Sequence, residues 1–128
     1  MVVHASAIGH NAILSGGGGG VTCNAFLPVL HSPPYGDFED NTVGGNLNIT
    51  GWQSCWLGFL RVTIRGNANF ENNVTADPDG NEIATNAIGH NLNCAGNNPN
   101  PQIGDSGGSL NLVHGRANGQ CVHITLGH

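Results

Sequence analysis

Serine, histidine and carboxylate groups stand in three places where their spacing suits chemistry. The first is Gly104-Asp105-Ser106-Gly107-Gly108-Ser109, a serine on a glycine-rich stretch with a carboxylate beside it. A serine becomes a nucleophile when a histidine is placed to take its proton, and such arrangements are defined by geometry rather than by chain order. His90 and His114 are the bases on offer, because they fall one column apart in neighbouring repeats. Ser106, Asp105, His90 and His114 together describe a small esterase or lactonase. The second place is Asp77-Pro78-Asp79-Gly80-Asn81-Glu82. Hard oxygen donors at such spacing suit Ca²⁺, and Gly80 permits a sharp turn. Asp77, Asp79 and Glu82 are the expected ligands, although the twelve-residue EF-hand pattern is absent. The third is the histidine set, seven in all, with no HExxH and no His-x-His. His90 and His114, with Asp105 as a third donor, form the candidate transition-metal group.

The elements that position these groups follow from composition. Glycine (21) and asparagine (18) approach a third of the 128 residues. Both are poor helix formers, so a helical bundle is excluded. Lysine is absent, three arginines are present and the net charge is -5. That balance cannot supply the basic surface nucleic acid needs. No run of about 18 apolar residues exists to span a membrane. Cys23, Cys55, Cys94 and Cys121 form an even set without a CxxC. In a short lysine-free chain this fits two disulfides in an oxidising, secreted setting, with three connectivities open. The segment Met1-Val2-Val3-His4 lacks the character of a signal peptide, so a secreted form would already have lost its leader.

Self-similarity organises the rest. Five segments align without gaps from the anchors Ile8, Val43, Ile64, Ile88 and Val113, at separations of 35, 21, 24 and 25. Each anchor ends a short strand, and a glycine-rich pair follows. Asparagine comes next in four copies: Asn11, Asn46, Asn67 and Asn91. The following residues alternate with period 2, as in a half-buried strand. Such a repeat is one coil of a β-solenoid, and stacking sets like above like. Asn11, Asn46, Asn67 and Asn91 are then predicted to form an amide ladder that satisfies turn backbone. Ala12, Leu47, Ala68, Leu92 and Ala117 form one core column, and Leu14, Ile49, Phe70 and Cys94 another. The long first interval predicts an inserted Gly/Pro-rich loop or cap over 15–41. Asp37, Glu39 and Asp40 lie there as a solubilising cluster. Trp52 and Trp56 flank Cys55 as packing residues.

Several motifs then carry resemblances. The stretch from about Tyr35 to Cys121 resembles a family of secreted actinobacterial proteins of uncharacterised function. The motifs are Asn41-Thr42-Val43-Gly44-Gly45-Asn46-Leu47, Cys55-Trp56, Thr75-Ala76-Asp77-Pro78-Asp79, Asn91-Leu92-Asn93-Cys94 and Gly119-Gln120-Cys121. That resemblance implies a short right-handed parallel β-helix. The Gly104–Ser109 segment resembles the nucleophile segment of chymotrypsin-like proteases. The remainder of that pattern is missing, and the chain is too short for two six-stranded barrels. A Ca²⁺-assisted lyase of the parallel β-helix kind needs a basic residue near the Asp77–Glu82 run, and Arg61 and Arg65 are the candidates.

The sequence therefore predicts one all-β domain over 1–128, a short right-handed parallel β-helix of about five coils with an N-terminal inserted loop. Its expected role is a secreted, non-catalytic surface-binding or structural one, with a glycan or small molecule as ligand. The alternative is a small hydrolase built on Ser106. Ca²⁺ is the one cofactor in view.

Overall fold

Short strands follow one another along the chain, and each pairs in parallel with its counterpart in the coils before and after. The computed structural model describes residues 1–25, 32–104 and 107–126. Among them there is no α-helix, and the strands build a β-solenoid. Sheet A contains Val2–His4, Tyr35–Glu39, Trp56–Leu60 and Asn81–Ala84. Sheet B stacks Ala7–Ile8, Thr42–Val43, Thr63–Ile64, Ala87–Ile88, Asn111–Val113 and Thr125–Leu126. Sheet C stacks Ala12–Ser15, Leu47–Thr50, Ala68–Glu71, Leu92–Ala95 and Ala117–Gly119, and sheet D pairs Gln53–Ser54 with Val74–Thr75.

The pairing register matches the sequence repeat. Ile8, Val43, Ile64, Ile88 and Val113 lie opposite one another along sheet B. Ala12, Leu47, Ala68, Leu92 and Ala117 do the same along sheet C. A slip of one residue would turn every apolar side chain outward, so burial fixes this register. Val43, Ile64 and Ile88 are at most 1% exposed, as are Ile49 and Phe70 in the second core column.

Sheet A was not legible in the repeat. Its strands share one core column, Phe38, Phe59 and Ile83, all buried. The loop expected over 15–41 is corrected at both ends. Ser15 closes a sheet C strand, and Tyr35–Glu39 is a sheet A strand. Phe26 to His31 lies outside the described residues. A disulfide joins Cys23 to Cys55, holding the preceding stretch against the turn into sheet A, and a second joins Cys94 to Cys121.

Asparagines satisfy the corners. Oδ1 of Asn11 accepts from the backbone N–H of Asn46, Asn46 serves Asn67, Asn67 serves Asn91, and Asn91 serves Arg116. The expected ladder therefore links side chain to backbone rather than amide to amide. Two buried columns were not anticipated. Asn86 accepts from Val62 N–H, donates to the Phe59 carbonyl and donates to Asn111 Oδ1. Asn73 and Asn97 do the equivalent at the corner after sheet C. Buried backbone groups need such partners wherever the chain turns away from a sheet.

Candidate functional site

Sheet C alternates inward and outward side chains, so the residues between its core columns face solvent. In register these are Ile13, Asn48, Asn69, Asn93 and Asn118. Asn69 Nδ2 donates to Asn48 Oδ1 at 2.6 Å, Asn93 to Asn69 at 2.7 Å, and Asn118 to Asn93 at 2.7 Å. An amide has two donor hydrogens and two acceptor lone pairs. Each ladder bond uses one of each, so every interior rung keeps a donor and an acceptor for solvent or ligand. Parallel strands repeat at about 4.8 Å, which sets the rung spacing. The neighbouring outward column is Ser15, Thr50, Glu71 and Ala95.

The corner between sheets B and C forms one margin of this ladder. Its first column holds Arg65 and His114 on either side of Gly89, and its next holds His10 and His90. Arg116 follows in the asparagine column. These five side chains are exposed, and none has a side-chain partner among the described residues. Arg65 and His114 line a shallow groove of about 280 Å³ with Thr63, Ala87 and Gly89. A Cβ on Gly89 would collide with the Arg65 carbonyl, so close stacking requires a bare floor there.

Sheet A and its corner carry the opposite charge. Asp40 and Arg61 occupy matching positions with φ of 55° and 51°, a left-handed turn that swings both side chains outward. Arg61 donates to Asp40 at 2.7 Å and to Glu39 at 2.6 Å, and His4 meets Asp40 at 2.9 Å. The Arg61 hydrogen bond lowers the Asp40 carboxyl to about 2, and Asp40 in turn raises the Arg61 guanidinium. Burial, then the nearby Glu39 charge, pushes the Asp37 carboxyl up to about 6. Asp37 Oδ1 is buried without a hydrogen-bond partner. His4, Glu39 and Asp40 are the one group of three metal-ligating side chains brought together among the described residues. Arg61 already pairs with both of its carboxylates. The cluster expected only to aid solubility is thus an ion-pair network. The spacing Glu39-Asp40 and Arg61, one coil apart, was the signal that could have found it.

The sequence candidates fall as follows. Ser106 and Asp105 lie outside the described residues. Gly104 packs against Glu82 and Gly108 against Ala84, both on sheet A, whereas His90 and His114 belong to the corner of sheets B and C. His90 and His114 occupy adjacent coils, since Gly115 N–H donates to the His90 carbonyl. Asp77 uses Oδ1 to accept from Asp79 N–H within its own turn. Glu82 lies buried in a sheet A strand, 1% exposed. The three carboxylates are not gathered to ligand distance of one another. Arg61 is engaged by Glu39 and Asp40 rather than by this run.

No protein-family model, curated protein or solved structure matches this chain.

Proposed function

We propose that this chain is a secreted, non-catalytic binding protein that uses the outward amide ladder of sheet C to hold an extended, hydroxyl-rich polymer such as a glycan. In this reading the solenoid is a right-handed parallel β-helix of about five coils, of the kind implied by the resemblance to secreted actinobacterial proteins. The two disulfides support an oxidising setting. No helix among the described residues is long and apolar enough to cross a membrane.

The observation that carries the reading is the unbroken run Asn48–Asn69–Asn93–Asn118. Its side chains are held by their neighbours, so little rotamer freedom remains to be lost on binding. Each presents a donor and an acceptor at a regular interval, which suits hydroxyl groups that both give and accept hydrogen bonds. Retention on immobilised neutral polysaccharides tests this. The double substitution Asn69→Ala, Asn93→Ala should weaken binding about tenfold or more, because two bidentate rungs are lost. Undiminished binding by a folded double variant would overturn the reading.

A further inference from the structure

We infer that the polymer held by the ladder is anionic, a sulfated or carboxylated polysaccharide, gripped along the margin formed by Arg65, Arg116, His90 and His114. This rests on the ladder reading above and names the class of its ligand.

Charge placement carries this assignment. The chain holds three arginines against eight acidic residues. Arg61 is consumed by Glu39 and Asp40. Arg65 and Arg116 are exposed, and neither has an ion-pair partner among the described residues. Asp37, Glu39, Asp40, Asp77, Asp79 and Glu82 all lie on sheet A, its corner or the turn leading into it. The outward columns of sheet B, Ala7-Thr42-Thr63-Ala87-Leu112 and Gly9-Gly44-Arg65-Gly89-His114, contain no carboxylate. Among the described residues, Glu71 is the acidic side chain on sheet C, and it stands in the column on the ladder's far side. The acidic corner at Glu39 and Asp40 stands one short strand away from Arg65, and its pairing with Arg61 together with screening by salt limits its repulsion of a polyanion here.

The groove between Arg65 and His114 adds shape to the charge. Two coils separate these residues, about 10 Å at the usual strand spacing. Gly89 lines the floor between them without a side chain. A guanidinium presents a planar fork that matches a sulfate or carboxylate. The histidine rings add N–H donors. A sugar chain lying along the ladder would place its acidic substituents on this margin and its hydroxyls on the asparagines.

Dextran sulfate and dextran share a backbone and differ in charge, so they make a matched pair of probes. Titration of the full chain by calorimetry at low and physiological salt should show dextran sulfate binding about tenfold more tightly than dextran. The advantage should shrink as salt rises. Arg65→Gln with Arg116→Gln should remove the advantage, bringing dextran sulfate down to the affinity of dextran. Equal affinity for both probes, or an advantage that survives the double variant, overturns the anionic assignment and leaves the ladder reading intact. Binding of single-stranded DNA as tight as that of dextran sulfate overturns it too, because charge alone would then suffice. Failure of both polysaccharides to bind overturns the ladder reading with it.

Discussion

Arg61 and Arg65 lie four residues apart and meet opposite surroundings. Arg61 stands at the corner of sheets A and B and is closed off by Glu39, Asp40 and, through Asp40, His4. Arg65 stands at the corner of sheets B and C among threonine, alanine, glycine and histidine. Stacking places like residues over like, so charge in a solenoid accumulates by wall. The sheet A wall answers its acidic column from within. The wall that carries the amides and the two unpaired arginines does not, and its unmet hydrogen-bonding capacity faces outward. Internal pairing stabilises one wall, and unspent capacity equips the other to bind.

The sharpest way to break this contrast is through the asparagines. Asn86 is buried and serves Val62 N–H and the Phe59 carbonyl, whereas Asn69 sits on the outer ladder. Replacing Asn86 by leucine strands two buried backbone groups and should cost about 3 kcal/mol. Replacing Asn69 by leucine should cost less than about 1 kcal/mol, since water can take its place. Urea denaturation of both variants compares them directly. Equal costs would show that the outer ladder is structural rather than available.

The arginines come next in size. Arg61→Gln should destabilise by up to about 1 kcal/mol at low salt and by less at high salt, as expected of an exposed network. Arg65→Gln should leave stability unchanged. A clear loss in Arg65→Gln would mean that it has a partner within the fold.

Titration of the acidic wall gives a smaller effect with a definite sign. The Asp37 carboxyl rises from 3.8 to about 6 on folding, so the native state holds a proton that the unfolded chain has released across that window. Stability should therefore fall as pH rises from about 4 to 6 and stay level above. Asp40 works the other way. Its carboxyl is lowered to about 2, so its contribution is present above its ordinary value near 3.8 and disappears as pH falls through about 2. Asp37→Asn should flatten the decline between pH 4 and 6 in thermal melts, and an unaltered profile would contradict the assignment. The smallest expected effect concerns Ser106. The binding reading expects p-nitrophenyl acetate hydrolysis at background rate, the same in Ser106→Ala, and a drop in that variant would favour the hydrolase.

Much of the architecture was written in the spacing. The anchors from Ile8 to Val113 and the glycines after them reported sheets B and C because each coil repeats the same steric need at the same offset. Sheet A was hidden because its strands differ in type. Tyr35–Glu39, Trp56–Leu60 and Asn81–Ala84 share little beyond Phe38, Phe59 and Ile83. The turn at its end uses Ala5, Asp40, Arg61 and Thr85 at positive φ, where no glycine marks the place. The ladder of Asn48, Asn69 and Asn93 was visible as the polar step of an alternation. Its significance depended on knowing that the side chains hydrogen-bond in series. The candidate groups were chosen by residue type: His90 and His114 do share one corner, the proposed ligands Asp77 and Glu82 lie on the turn into sheet A and on sheet A itself, and Ser106 with Asp105 lies outside the described residues.

The central claim is that the outer amide ladder is the binding surface, and side-chain amide NMR tests it most directly. Titrating ¹⁵N-labelled protein with dextran sulfate should shift the Nδ2 signals of Asn48, Asn69, Asn93 and Asn118 together, along with the backbone signals of Arg65 and Arg116. The buried Asn73, Asn86 and Asn111 should stay in place. Shifts confined to Tyr35–Asp40 and Arg61 on the acidic wall, or none at saturating polysaccharide, would contradict it.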